Sequence, residues 1–381
     1  MNDRRYDIDW LRVFATYLLF FFHVGKVFDV PPFYHLKNGE LSAGLGVVTT
    51  YIHQWHMPLF FLLAGWSLHA SLKLRGPRAV LGERFKRIFV PFVFGSLTLC
   101  IGLGYVEHIK MQGVEMGLVE FVPKFFTSLD YFTWGHLWFL IYLFTFTLLY
   151  FPFFKRLSGG KSTIGNPRSA LIYAPLPFLI LAQLVLRIWW GGFQNLVNDW
   201  GNFVYYSAFL WIGFLLGRHP GLYEAVLKER KRAGWIALAA STVFLYFRID
   251  SPASVVANHL YYYILGTIVG YMIIIWVLGW AHEHLRFRNR ALDYLAESAL
   301  PVYILHQAGI VFPGWFIVNL EAPLPVKFVL LLVTAVTVTM LFYHFLVRPI
   351  EPARLLFGMK PKRKPFSPVP AAVGGSDTRG I

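Results

Sequence analysis

Asp9-Trp10-Leu11-Arg12, running on to Phe20-Phe21-Phe22-His23, places an arginine and, eleven residues later, a histidine in one apolar segment. At a helical rise of about 1.5 Å per residue the two lie roughly 16 Å apart along the axis, about half of a ~30 Å hydrocarbon core. With Arg12 at the cytoplasmic edge, His23 falls near or just beyond the midplane. An ionisable side chain at that depth is costly to bury, and marks a functional position by default. The stretch therefore reads as a first membrane span that carries chemistry.

The rest of the chain agrees with a membrane setting. Hydrophobic residues make up 56% of the 381, charged residues 14% and aromatics 18%; soluble proteins carry about a quarter charged residues. The composition predicts an all-α, polytopic helix bundle, one integral membrane domain over 1–357 followed by a basic tail over 358–381 with the composition of a disordered segment. The single cysteine, Cys100, lies in an apolar run, so neither a disulfide framework nor a cysteine metal cluster is expected. The first apolar stretch is long and leaves through Gly25-Lys26-Val27-Phe28 without a small-residue cleavage site, so no cleavable signal peptide is expected.

Ten apolar runs are long enough to span: 11–30, 54–72, 88–106, 135–154, 170–190, 203–217, 234–249, 259–280, 295–313 and 326–347. The sixth and seventh are short. With the N-terminus inside, 28 of the 35 lysines and arginines fall on cytoplasmic segments, alternating at every loop. That split follows the positive-inside rule and places both termini in the cytoplasm. The net charge of +15 therefore needs no nucleic-acid partner. The tail sequence Lys360-Pro361-Lys362-Arg363-Lys364 suits anionic headgroups of the lipid bilayer.

Histidines gather on the middle and outer side: His23, His53, His56, His136, His259 and His306. They allow one polar chamber lined by helices 1, 2, 4, 8 and 9. A packing role, each ring bonding a neighbouring backbone, is the competing reading, chiefly for His53, His136 and His259 at helix ends. Metal binding is not expected, because no carboxylate or cysteine completes a ligand set beside His53 and His56. On the opposite side, Arg84 and Arg87 stand three apart and share a helix side, a bidentate fork for phosphate that lysine does not match. An ordinary positive-inside cluster is the alternative for them.

Taken in order, these stretches resemble the acyltransferase-3 family of integral membrane acyltransferases. Arg12 and His23 fit its arginine–histidine pattern in the first helix. Met57-Pro58-Leu59-Phe60-Phe61-Leu62-Leu63-Ala64-Gly65 is similar to its second-helix signature, with Ala64 where serine is frequent. Arg84 and Arg87 fit its Arg-x-x-Arg. The stretches His136–Leu140 and Pro301–Gln307 are similar to its later blocks, and Phe357-Gly358-Met359-Lys360 to the ending of the branch that includes the osmoregulated periplasmic glucan succinyltransferase. His56 departs from the arginine expected before Met-Pro in that branch, a departure that bears on acceptor or acyl specificity. The esterase-like domain of some relatives is not expected here.

The resemblance implies transfer of an acetyl or succinyl group from cytoplasmic acyl-CoA to a hydroxyl of an extracytoplasmic glycan, in a bacterial inner membrane. A thioester is already activated, so the enzyme must deprotonate a hydroxyl and steady an oxyanion. His23 is the expected base, with a carboxylate or amide on the outer side as its orienting partner, Glu107 first and Asp130 next. Arg84, Arg87 and Arg12 are expected to hold the CoA phosphates, and His306, His56 and His136 to touch acceptor or oxyanion. A continuous cavity from the arginine pair to an inward-turned His23 is required. Rival classes are a transporter or flippase for a glycan or lipid-linked intermediate, against which the lack of inverted repeats counts, and a membrane scaffold.

Overall fold

The structure, a computed structural model, describes residues 4–32, 34–160, 164–165, 167–192, 194–250 and 254–362. Helices account for its regular structure, and the one β-type contact among the described residues is an isolated bridge between Asp29 and Ser42. Helix α1 spans Tyr6–Phe28, with Asp7 and Asp9 in its first turn and Lys26 in its last, charges that suit the two ends of the helix dipole. Helix α2, Ala43–Leu74, starts where the Ser42 hydroxyl accepts the Leu45 N–H at 3.2 Å.

The third span is broken. It begins with α3, Pro77–Arg84, passes through a π-type turn at Phe85–Phe89 into α4, Val90–Ser96, and continues after a 41° bend as α5, Leu99–Met111. At the break the Thr98 hydroxyl donates to the Phe94 carbonyl at 2.6 Å, satisfying a group the bend would leave open. The apolar run at 88–106 marks only the middle of this helix, because its first half carries Arg78, Arg84, Lys86 and Arg87.

A short helix α6, Leu118–Thr127, fills the longest loop, and α7, Trp138–Ser158, follows a 3-10 turn at Gly135–Leu137. Then come α8 (Pro175–Trp189), α9 (Trp200–Arg218), α10 (Pro220–Ile249), α11 (Val255–His284), α12 (Arg290–Ile317) and α13 (Leu324–Phe342). The last element, α14, Glu351–Leu356, folds back beneath the bundle.

Among the described residues seven helices are long and apolar enough to cross a membrane, or eight with the bent pair as one span. The sixth and seventh predicted runs coincide with α9 and α10, which fall outside that set. Helix α10 opens with Glu224, Lys228, Glu229, Arg230, Lys231 and Arg232, and α9 contains Asn202, Tyr205, Tyr206 and Ser207. Helix α1 packs against α2, α11, α12 and α13, so it lies inside the bundle with helices on several sides. The packed chain also runs past 357: Gly358 and Met359 are buried, so the wall of the bundle includes residues expected in the tail, while 363–381 lie outside the described residues.

Helices α2 and α9 meet at glycines. A Cβ at Gly65 would overlap the Leu210 carbonyl, and one at Gly213 would overlap the Leu62 backbone. Small residues allow such an approach between helices in lipid, where hydrophobic burial does not drive association. Gly213→Leu is expected to remove the monodisperse peak in detergent size-exclusion chromatography. Gly82→Ala, whose added carbon meets nothing within 4 Å, is expected to leave the peak in place.

Candidate functional site

Two adjoining features make up the site. The first is a cavity of about 750 Å³ at the end of the bundle where both termini lie, within the usual size range of ligand pockets. Its mouth is charged: eight basic side chains (Arg4, Arg12, Arg75, Arg84, Arg87, Arg288, Arg354, Lys360) face four acids (Asp9, Glu83, Asp293, Glu297). Most of the cations are already engaged. Arg12 donates to Asp9 at 3.1 Å and to Ser67 at 2.8 Å. Arg87 donates to Glu83 at 3.1 Å and to the Gly358 carbonyl at 2.9 Å. Arg75 pairs with Glu83, Arg288 with Asp293, and Arg354 with Glu297 and the Lys360 carbonyl. Arg84 and the Lys360 ammonium make no hydrogen bond or ion pair among the described residues, so their donors are open to an anion in the cavity. Burial, followed by the nearby Arg87, draws the Lys360 ammonium below the usual lysine range.

Local geometry explains how these groups converge. The π-type turn at Phe85–Phe89 carries Arg87, and Arg84 ends the helix before it. Gly358, at φ +70°, lets the chain turn beneath Arg87, where a Cβ would lie 2.6 Å from the Arg87 carbonyl. Past the mouth the walls become apolar, with Leu63, Leu140 and Leu143, and they end at Phe60, Phe139 and Tyr303.

The second feature is a cluster of imidazoles beyond those rings. His306 is 0% exposed; its ring lies 5.1 Å from that of His23, 4.9 Å from that of His136 and 5.9 Å from that of Tyr303. Nδ1 of His306 is 2.6 Å from the Tyr303 carbonyl, while Nε2 is buried without a partner. His136 donates from Nε2 to the Ile304 carbonyl at 3.0 Å, and its own carbonyl accepts the Tyr303 hydroxyl. His56, also buried, donates from Nε2 to the Ala15 carbonyl at 2.7 Å and lies tilted against Phe60 and Phe22.

His23 faces inward. Tyr34 lies nearly parallel to it at 5.7 Å and donates its hydroxyl to Gln307 Oε1 at 2.9 Å, and the Gln307 amide nitrogen is 3.3 Å from His23 Nδ1. The loop bearing Tyr34 is pinned by Asp29, which is fully buried and takes hydrogen bonds from Lys26 (2.9 Å), Lys37 (2.5 Å) and Thr49 (2.7 Å).

Three sequence-based expectations change here. Glu107 does not orient His23; its carboxylate is bonded to His35 Nδ1 at 2.6 Å, and an amide, Gln307, meets His23 instead. Asp130 is exposed, and its backbone carbonyl accepts from His108. The cavity reaches Arg12, Arg84 and Arg87 but includes neither His23 nor His306, so the continuous cavity required above is not present in this conformation, and acyl transfer would need the layer of Phe60, Phe139 and Tyr303 to open. His259 follows the packing reading, bonding the Leu184 carbonyl at 3.3 Å. Among the described residues no group of three or more His, Cys, Asp or Glu side chains could hold a metal.

Comparison with known proteins fits this architecture. A family model described as an acyltransferase domain matches residues 5–344. The chain belongs to the acyltransferase-3 family. Proteins named glucans biosynthesis protein C, from Escherichia coli strains K12, SMS-3-5 and O6:K15:H31, are similar to it: each is 24% identical over 380 residues, covering 94% of this chain and 95% of the relative. No solved structure matches. The family and the apolar helices together make this a membrane acyltransferase.

The His35–Glu107 pair gives a direct check on the corrected geometry. In a double-mutant cycle, His35→Gln and Glu107→Gln are expected to couple in thermal unfolding by about 0.5–3 kcal/mol, the range for residues in contact. His23→Gln and Glu107→Gln are expected to be additive.

Proposed function

We propose that this chain transfers an acetyl or succinyl group from cytoplasmic acyl-CoA to a hydroxyl of an extracytoplasmic glycan, across a bacterial inner membrane that it spans ten times with both termini inside. The observation that carries this reading is the succession of a basic cavity, an apolar throat and a buried imidazole cluster along one line of the bundle. A polyphosphate carrier suits the mouth, where Arg84 offers uncommitted donors beside Arg12 and Arg87, and charge-assisted contacts of this kind are the stronger class of hydrogen bond. The apolar throat suits a slim acyl-bearing arm. The rings of Phe60, Phe139 and Tyr303 must part for the thioester to reach His23 and His306, and until they do they keep water from the activated ester.

The acceptor comes from the other side, where Tyr34 lies against His23 and the His35–Glu107 pair lies next to Tyr34. The names of the relatives point to a glucan as the acceptor class. In the reaction the hydroxyl oxygen attacks the thioester carbonyl, an imidazole of the cluster takes its proton, and an N–H donor steadies the oxyanion before the thiolate leaves. Transport of a glycan or lipid-linked intermediate is the alternative outcome of the test, in which no acyl group moves.

Purified protein in detergent, incubated with labelled acetyl-CoA or succinyl-CoA and a glucan acceptor, is expected to release CoA and label the glucan. His23→Ala is expected to lower transfer by at least about 100-fold with CoA affinity unchanged. Arg84→Ala with Arg87→Ala is expected to weaken CoA binding by about 100-fold, the loss of two charge-assisted contacts. Absence of CoA release from the unaltered protein, with binding of a glycan in its place, would refute the enzymatic reading.

A further inference from the structure

With the Gln307 amide set as it is, its oxygen toward Tyr34 and its nitrogen toward His23 Nδ1, the hydrogen bonds around the two central histidines give them opposite tautomers, and that difference divides the chemistry between them; the division rests on the acyl-transfer reading above. Nδ1 of His306 lies 2.6 Å from the Tyr303 carbonyl. A carbonyl only accepts, so Nδ1 carries the proton and the neutral ring holds its lone pair on Nε2. That Nε2 is buried in a residue with 0% exposure and has no partner among the described residues. An unpaired buried acceptor is costly and calls for a donor that arrives from elsewhere.

His23 is held the other way. The Tyr34 hydroxyl occupies Gln307 Oε1 as a donor, which leaves the Gln307 amide N–H to donate to His23 Nδ1. Neutral His23 therefore keeps its proton on Nε2 and offers an N–H instead of a lone pair. His136 also has a bare nitrogen, Nδ1, but its ring contacts are with Tyr303 and His306 and not with His23. Among the described histidines the His23–His306 pair, 5.1 Å between ring centres, sets a hydrogen-bond donor beside an open lone pair.

We infer that His306, in place of the His23 expected from the sequence, is the general base of the transfer and that His23 supplies the oxyanion donor. The acceptor hydroxyl gives its proton to His306 Nε2 as its oxygen forms the new C–O bond to the thioester carbonyl. The negative charge that moves to the carbonyl oxygen is met by the His23 Nε2–H. As the C–S bond breaks, the departing thiolate takes the proton back from the His306 imidazolium, so the thiol leaves neutral and both rings return to their starting tautomers. Tyr303, whose backbone holds His306 and whose ring closes the donor cavity, brings that base to the end of the path by which the thioester enters.

The test compares four proteins in detergent, unaltered, His306→Gln, His23→Gln and His23→Ala, by CoA release from acetyl-CoA with ethanol or the more acidic trifluoroethanol as acceptor at high concentration. His306→Gln is expected to lose about 100-fold or more with ethanol, the usual worth of a general base, and to recover much of it with trifluoroethanol, which needs less help to ionise. His23→Ala is expected to lose about 100- to 1,000-fold, as for an oxyanion donor, with no such recovery. His23→Gln keeps an amide N–H and is expected to stay within about tenfold of the unaltered protein. The inference is overturned if His23→Gln falls as far as His23→Ala and the acidic alcohol rescues the His23 variants. It is overturned equally if His306→Gln loses CoA affinity, which would make His306 a packing residue. No CoA release by the unaltered protein with either alcohol or with glucan refutes the acyl-transfer reading itself, a result that the comparison among variants does not produce.

Discussion

A single backbone carbonyl, that of Tyr303, decides what the buried imidazoles can do. For a buried imidazole the nearest fixed dipole settles which ring nitrogen bears the proton. By accepting from His306 Nδ1 the carbonyl leaves Nε2 bare. The same residue joins the two halves of the site, since its hydroxyl donates to the His136 backbone and its ring forms the far wall of the basic cavity. Around it the other rings are tied in similar fashion, His56 to the Ala15 carbonyl and His136 to the Ile304 carbonyl.

The cavity at the other end obeys a different constraint. Eight cations crowded around one pocket repel each other, and the protein offsets this with four carboxylates and several backbone carbonyls. Glu83 serves both Arg75 and Arg87, and Glu297 serves both Arg348 and Arg354. The neutralisation is incomplete, and Arg84 is left without a partner among the described residues. An excess of donors at the mouth and an apolar throat behind it select a ligand that is polyanionic at one end and uncharged at the other. Folding the chain back at Gly358 to close the pocket ties the C-terminal turn to the same function.

Much of this was legible in the sequence. The spacing of Arg12 and His23, the pair Arg84 and Arg87, and the block from Pro301 to Gln307 all mark residues that the fold gathers at the site. Helical periodicity makes such positions readable, because residues on one helix keep a fixed relation whatever the bundle does. Tyr34 and His35 are not readable, since they sit in the loop after α1, where no period applies and their place is set by the buried Asp29 clamp and by their bonds to Gln307 and Glu107. The partner of His23 was misjudged for a related reason: Glu107 and His35 are 72 residues apart, and only the packed bundle shows that they find each other. Helices α9 and α10 read as short apolar runs because Asn202, Tyr205, Tyr206 and Ser207 in α9 and the charged first half of α10 dilute their hydropathy.

The most direct measurement is an experimental structure of the protein bound to a non-reactive thioether analogue of acetyl-CoA. Expected is density for the phosphates against Arg84 and Arg87, with the arm passing between Phe60, Phe139 and Tyr303 and its acyl carbon lying between the rings of His23 and His306. An analogue bound outside the basic cavity, or one whose acyl carbon stops at a closed Tyr303 on the arginine side, would contradict the account.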